Sequence, residues 1–493
     1  MAICVLAAVR VFVFSSAFPF FNNVDEQNHV DLVMKYSRGY WPRERVERFD
    51  LAAGRLLVLY ATFEYLSVPQ RFAGGVFPRP LWERPGFEAR VQEGAALWAQ
   101  RFNEEAHAPP VYYALAGAWY TLGGWLGLAD GPRLYWIRFL NVPLFAFLVW
   151  CTYLVCRDGY PGRLELRLGV PMLLAFLPQD VFYSVNSDVL SPPLFTASLL
   201  LLLRWYRSDE ARTVLGAAVG LLVALTFLVK FTNIALPLIF GAALILKTRQ
   251  RLRDGRGRDA LLPASVALFV AVLPVAICLG RNHVLFGDLT GTGPKLEHFG
   301  WSPRPLATVL AHPIFSPSGS WTFWDGLMRT FWRGEFVWHL TPIASPLVDT
   351  FYTMSSTVFL IAAAAAWAVR SRPGARARVA GAEAPTGVHA TVWASVTLSV
   401  LCLAGLSVAF EYGPTSHYPS RDYPYFVSGR LIAGALVPFL ILYVDGLAFL
   451  VRRLSRVGAP LVFVTSASVM MIASEVALTR HVFANPFNWF HLP

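Results

Sequence analysis

The sequence predicts an all-α integral membrane protein with about eleven transmembrane helices and a large first external loop that carries juxtamembrane helices. Of its 493 residues, 55% are hydrophobic and only 15% are charged, whereas soluble domains carry about 25% charged residues. Apolar runs recur along the chain, and most are about 17 to 25 residues long, which matches the thickness of the hydrocarbon core of a bilayer. A soluble globular domain is therefore excluded.

Eleven apolar runs are the predicted spans. They lie near residues 2–20, 134–155, 168–185, 189–205, 213–229, 232–246, 261–280, 350–369, 391–410, 427–450 and 458–478. A twelfth apolar run, 109–128, begins with two prolines and is rich in glycine and aromatic residues. Counting it as a span would turn two basic loops outward, so we predict that it lies along the outer membrane surface, as does a helix within 86–105.

Basic residues define the predicted topology. The net charge is +11, and Lys and Arg cluster in short loops between the apolar runs. These loops are 157–167, 204–212, 247–258, 370–378 and 452–456. Cytoplasmic loops of membrane proteins carry such an excess, so the charge indicates topology and no nucleic-acid partner is expected. Residues 21–133 and 281–349 are then the two large external loops.

Composition also suggests three parts. Residues 1–372 are predicted to form a first membrane module, 373–390 a cytoplasmic linker rich in Pro, Gly and Ala, and 391–493 a set of C-terminal membrane helices. The first twenty residues are interpreted as a span and not a signal peptide, because Arg10 interrupts the apolar stretch and no basic segment precedes it. The five cysteines lie in apolar runs without metal-ligand spacing, so no structural zinc site is expected.

Acidic residues follow the first span directly. Asp25, Glu26 and His29 lie where membrane meets water, a costly place for carboxylates unless they serve a site. An ordinary solvated start of a loop is the alternative interpretation. In the functional interpretation Asp25 is a general base for an acceptor hydroxyl, and Glu26 or His29 positions it.

Further candidates lie at other predicted external span ends. Asn186 and Asp188 occur at a junction between two spans, where helix capping is the competing explanation. Cations at such ends suit a lipid phosphate, although snorkelling to head groups is an equally simple explanation. His107, in the segment HAPPVYY, is given a supporting role in substrate binding. The cations concerned are Lys230, Arg281 and Arg430.

Taken together, these motifs resemble the GT-C superfamily of polytopic glycosyltransferases. The resemblance is to a bacterial branch related to protein O-mannosyltransferases and aminoarabinose transferases. It rests on short motifs in order between about residues 20 and 435: DEQNH, HAPPVYY, RNHVLFGD and GRLI. It implies a catalytic module within 1–372, with Asp25 as the catalytic base and Glu26 beside it, and basic residues that hold the lipid phosphate.

The resemblance also implies a reaction and partners. A sugar would pass with inversion from a polyprenyl-phosphate-linked donor to a lipid, glycan or protein acceptor on the external face of a bacterial cytoplasmic membrane. A divalent cation, Mg²⁺ or Mn²⁺, between Asp25 and Asp188 is left open, because oxygen ligands suit these ions. The main alternative is a transporter or flippase for a lipid-linked or anionic solute, although no internal repeat is visible in the sequence.

Overall fold

The chain folds almost entirely into α-helices. The computed structural model describes residues 1–208, 213–255, 257–371, 386–414, 416, 418–452, 454–455 and 457–492. Its α-helices, numbered α1 to α18 in chain order, are Ala2–Ala17, Glu26–Ser37, Leu51–Tyr60, Phe87–Trp98, Val111–Trp125, Asp130–Phe139, Asn141–Gly159, Leu164–Ala175, Ser191–Arg207, Thr213–Phe227, Ala235–Arg253, Gly257–Phe286, Gly293–Phe299, Pro317–Arg333, Pro346–Arg370, Thr386–Ala409, Leu436–Val451 and Gly458–Thr479.

Strands are confined to two short antiparallel pairs in the described residues. Strand β1 (Ser302–Pro303) pairs with β4 (Phe410–Glu411), and β2 (Val337–Trp338) pairs with β3 (Thr341–Pro342). The remaining structure is helix, 3-10 turn and loop. The predicted all-α class is therefore confirmed.

Eight helices in the described part of the chain are long and apolar enough to cross a membrane, so this is a multi-pass membrane protein. They are Asp130–Gly159, Ser187–Arg207, Phe231–Arg253, Leu261–Phe286, Pro346–Arg370, Gly387–Ala409, Gly429–Val451 and Gly458–Ala484. Two further predicted spans correspond to the shorter apolar helices α1 and α10. In the run predicted at 168–185, α8 is followed by a 3-10 turn, Asp180–Tyr183. The count of eleven spans thus stays a prediction.

Prolines and hydroxyl caps mark several helix starts. Pro192 and Pro193 lie in the first turn of α9, where the missing backbone N–H would have no helical partner in any case. At the start of α14, the Ser316 hydroxyl accepts a hydrogen bond from the Gly319 N–H at 3.0 Å. The helices expected within 86–105 and 109–128 are present as α4 and α5.

Helix α17 lies at the centre of the helical assembly. It is apolar apart from Asp445, and nearly all its side chains are buried, as expected for a helix enclosed by other helices. Gly446 lets it approach α15, because a Cβ at this position would overlap the Phe359 carbonyl. Buried residues from both sides of the predicted linker share one hydrophobic core.

Two buried polar contacts join distant parts of the sequence. Arg10 in α1 forms an ion pair with Glu475 in α18, with Nη2 2.9 Å from Oε1. The Asp445 carboxylate in α17 accepts hydrogen bonds from Arg163 at 2.9 Å and from Arg370 at 2.6 Å. Most of the predicted linker, 373–385, lies outside the described residues. So do several basic residues used for the topology: Arg212, Arg256, Arg372, Arg376, Arg378, Arg453 and Arg456.

Candidate active site

Asp25 has an unusual backbone conformation directly before α2. Its φ of 63° and ψ of 20° place it in the left-handed region, which few residues other than glycine adopt. Its side chain is 34% exposed. Backbone strain of this kind concentrates at functional sites, because the surrounding structure must hold it in place. Asp25 is thus a partly exposed carboxylate on a strained backbone.

Arg430 joins Asp25 to two other carboxylates. Its Nη2 lies 3.3 Å from Asp25 Oδ2, its Nη1 3.7 Å from Asp188 Oδ2, and its Nε 3.1 Å from Glu335 Oε2. The Lys230 ammonium is 3.1 Å from Asp188 and 17% exposed. We call these five residues the ionic cluster. All of them except Glu335 were singled out from the sequence. The structure brings these four predicted residues together from four separate segments of the chain.

Asn186 connects the cluster to the chain before Asp25. Its side-chain oxygen accepts a hydrogen bond from the Asp188 N–H at 2.9 Å and so caps the 3-10 turn Ser187–Leu190. Its amide group donates to the Val24 carbonyl at 3.2 Å. The oxygen and the amide group of Asn186 therefore fix the position of Asp188 relative to that of Asp25. Asn186 is both a helix cap and a part of the site.

Glu26 points away from the cluster into the protein. It is fully buried, and its two oxygens accept hydrogen bonds from Arg138 at 2.7 and 2.6 Å. The Val185 N–H donates to the same carboxylate at 2.8 Å. Glu26 therefore joins α2 to α6 and to the segment before Asp188. With its oxygens already engaged and no exposed surface, it is placed to position Asp25.

His29 lies one turn further along α2. Its Nδ1 is 2.8 Å from the Tyr113 hydroxyl, and its buried Nε2 has no hydrogen-bond partner among the described residues. Burial lowers the pKa of His29 to about 4. The ring is therefore neutral at physiological pH, and it can donate or accept a hydrogen bond but adds no positive charge.

The burial of His29 predicts a pH-dependent stability. The ordinary pKa of histidine is about 6.5, so between pH 6.5 and 4 the unfolded chain binds more protons at this position than the folded one. The folded state should therefore lose about 3 kcal/mol from this group as the pH falls through that window. The unfolding temperature of His29→Gln in detergent should depend less steeply on pH than that of the wild type. The exposed control His283→Gln should keep the wild-type slope, and equal slopes in all three proteins would contradict the assignment.

A second ionic group lies near the cluster. The Lys295 ammonium of α13 donates a hydrogen bond to Glu105, and Glu104 is adjacent. Burial raises the pKa of Glu105, but Lys295 and Lys230 outweigh it and hold the pKa below its ordinary value. The positive charge of Lys295 thus comes from the second predicted external loop. The sequence carries no motif that marks this residue.

Asp180 and Gly334 hold Glu335 in the cluster. The Asp180 carboxylate accepts hydrogen bonds from the N–H groups of Glu335 and Phe336 at 2.6 and 2.5 Å. Burial and the nearby Glu335 charge raise the pKa of Asp180 to about 7. Gly334 has a φ of 87°, and a Cβ at this position would overlap the Asp180 carboxylate. Only glycine fits here without strain.

Gly334→Ala should lower the free energy of unfolding by about 1–3 kcal/mol. The added methyl group meets the Asp180 carboxylate, and alanine is disfavoured at positive φ. Chemical or thermal unfolding of the purified protein would measure the loss. The matched control is Gly241→Ala, whose Cβ would have no neighbour within 4 Å. Equal stability of the two variants would show that the 334–336 turn relaxes without cost.

His107 and Arg281 lie elsewhere. The His107 Nε2 is 2.9 Å from the Glu44 carbonyl oxygen. The Arg281 guanidinium lies over the Trp41 ring, 3.9 Å from its centroid, and donates hydrogen bonds to the backbone of residues 41–42. In the described structure neither side chain has a contact with Asp25, Asp188 or Arg430. Arg281 thus connects the end of α12 to the first loop.

No family model, curated protein or solved structure matches this chain. The chemistry of the ionic cluster therefore has to carry any functional inference. Among the described residues, no group of three or more His, Cys, Asp or Glu side chains is arranged to hold a metal ion. The carboxylates of the cluster are directed at Arg430 and Lys230.

Proposed function

We propose that this protein is a membrane glycosyltransferase that moves a sugar from a polyprenyl-phosphate-linked donor to an acceptor hydroxyl, with inversion. The observation that carries the proposal is the position of Asp25, a partly exposed carboxylate held next to fixed cations. A base and a site for an anionic leaving group are the two requirements of this reaction. The motif resemblance to GT-C transferases favours the same chemistry, at the external face of a bacterial cytoplasmic membrane.

Asp25 acts as the general base in this proposal. It takes the proton of the acceptor hydroxyl while the acceptor oxygen attacks the anomeric carbon from the face opposite the phosphate. The bond between the anomeric carbon and the phosphate oxygen breaks, and the lipid phosphate leaves with the electron pair. Glu26 and Asn186 hold the backbone on either side of the cluster, so the carboxylate is fixed before the substrate arrives.

Lys230 and Arg430 stabilise the leaving phosphate. Both are fixed by neighbouring carboxylates, so little reorganisation is needed as negative charge develops on the leaving group. Arg281 donates hydrogen bonds to the backbone of residues 41–42. In this proposal Arg430 therefore binds the phosphate in place of Arg281. A divalent cation is not required by this mechanism, and the effect of EDTA on transfer would show whether one contributes.

Transfer of a radiolabelled sugar from synthetic polyprenyl-phosphate donors by the purified protein tests the proposal. Product that forms only with intact protein, and with the anomeric configuration inverted, is the expected result. The alternative function makes a different prediction in the same preparation. Movement of the lipid-linked sugar across proteoliposome membranes, with no transfer across a broad panel of donors and acceptors, would replace the transferase by a flippase.

A further inference from the structure

A cavity that is separate from the ionic cluster lies between the first predicted external loop and the C-terminal segment. It has a volume of about 420 Å³, which is within the range of small-molecule sites. Its walls come from residues 62–64, 77–80, 83 and 486–487. Phe77 and Phe487 supply ring surfaces, while Glu64, Arg79 and Glu83 supply charges. Aromatic walls with a few polar groups are typical of a ligand site.

Two charged groups of this cavity, Arg79 and Glu83, are available to a ligand. Within the described part of the chain, neither Arg79 nor Glu83 forms an ion pair, and both are exposed. Glu64 is partly buried, and burial raises the pKa of its carboxyl group. Carboxylates accept hydrogen bonds from hydroxyl groups and a guanidinium donates to their oxygens, so the three side chains together match a ligand that is rich in hydroxyl groups.

His339 lies at the border of the cavity. It and Leu340 are consecutive residues with positive φ, 52° and 64°, and they form the two-residue turn between β2 and β3. The His339 ring stacks on Phe77 with the centroids 5.1 Å apart. Its buried Nε2 has no hydrogen-bond partner among the described residues and lies 4.0 Å from the Glu64 carboxylate.

Two short chain segments connect the cavity to the ionic cluster. His339 is four residues after Glu335, so the two Cα atoms are at most about 14 Å apart. On the opposite side, the Thr62 N–H donates a hydrogen bond to the Phe20 carbonyl at 3.2 Å, and Asp25 follows five residues later. Asn23 completes the connection, because its amide donates to the Glu335 carbonyl at 2.7 Å. Short stretches of chain on two sides therefore join the cavity to the ionic cluster.

We propose that this cavity binds a neutral saccharide portion of the acceptor. The inference rests on the proposed glycosyltransferase function and names the acceptor class as a glycan or glycolipid. Ring surfaces pack against the C–H faces of a sugar, and the two glutamates and Arg79 bind its hydroxyl groups. Three charged side chains in so small a cavity disfavour an acyl chain, which would leave them without hydrogen-bond partners.

Direct binding of neutral oligosaccharides tests the inference. Titration of the purified wild-type protein, followed by saturation-transfer NMR, should give saturable binding, and Glu83→Gln and Phe77→Ala should each weaken it at least about tenfold. Glu83 is exposed, so its variant should fold even if Phe77→Ala does not. The control Glu93→Gln, an exposed residue of α4, should bind as the wild type does.

The outcomes separate this inference from the proposed function. Unchanged affinity in Glu83→Gln, or binding of acyl chains or peptides in place of saccharides, would overturn the saccharide site even if transfer is observed. Saccharide binding that depends on Glu83 and Phe77, in a protein that transfers sugar from no donor, would keep the site and refute the transferase.

Discussion

Asp25→Asn should reduce sugar transfer by a factor of about 10²–10⁴, the usual contribution of a general base. The amide has the shape of the carboxylate but cannot accept the acceptor proton at neutral pH. Asp25 is partly exposed, and Arg430 keeps Asp188 and Glu335 as partners after the change. The fold should therefore persist, and the loss should be in kcat with little change in KM.

The matched control for this variant is Asp422→Asn. Asp422 is exposed and lies eight residues before Arg430, so removal of its charge tests for a general electrostatic effect. It should transfer sugar at the wild-type rate and unfold at the wild-type temperature. Asp25→Asn with more than half of the wild-type kcat would exclude Asp25 as the base, and a lowered unfolding temperature would assign it a structural role instead.

Glu26→Gln should lower the free energy of unfolding by about 3–5 kcal/mol, because it leaves the buried Arg138 guanidinium without a counter-charge. The pair is completely buried, with a separation of 2.6 Å. Transfer should fall as well, since the start of α2 carries Asp25. Thermal unfolding in detergent, with the exposed Glu93→Gln as the control for loss of a glutamate charge, measures the effect.

A double variant separates charge from packing. Glu26→Met combined with Arg138→Met removes both charges, and apolar replacements of a buried pair are often tolerated. It should be more stable than Glu26→Gln. The double variant should remain less stable than the wild type, because Arg138 also donates hydrogen bonds to the carbonyls of Phe18 and Pro19. If Glu26→Gln were as stable as the control Glu93→Gln, water or a rearranged side chain would have to compensate the charge of Arg138.

The apolar runs predicted most of the helices, because hydropathy reflects what the bilayer requires. The run at 427–450 became the span Gly429–Val451, within two residues at either end. The run at 168–185 has a different form. Its helix ends at Ala175, and Gln179 and Asp180 follow, buried with backbone partners of their own. The hydropathy of the run 168–185 does not reveal these hydrogen-bond partners, so the end of the helix could not be predicted from it.

The site was less accessible from the sequence. Asp25 and Glu26 are neighbours, yet the left-handed backbone at Asp25 and the helix start at Glu26 send their side chains to different environments. Glu335 belongs to no motif, and contacts of Asp180 and Asn23 with the 334–336 turn hold it beside Arg430. Both cases depend on tertiary contacts across many residues, which one sequence without homologues does not reveal.

The ion pair between Arg10 and Glu475 has a consequence for biosynthesis. The two residues are separated by 465 positions, so at the usual 5–20 residues per second a ribosome needs about 20 to 90 s to deliver the partner of Arg10. During that interval an arginine in an apolar helix costs the nascent chain about 2.5–3.5 kcal/mol at the membrane centre. The carbonyls of Ala175 and Leu177 can accept hydrogen bonds from Arg10 earlier, but they carry no counter-charge. A chain that stops short of Glu475 therefore retains a positive charge without its ion-pair partner.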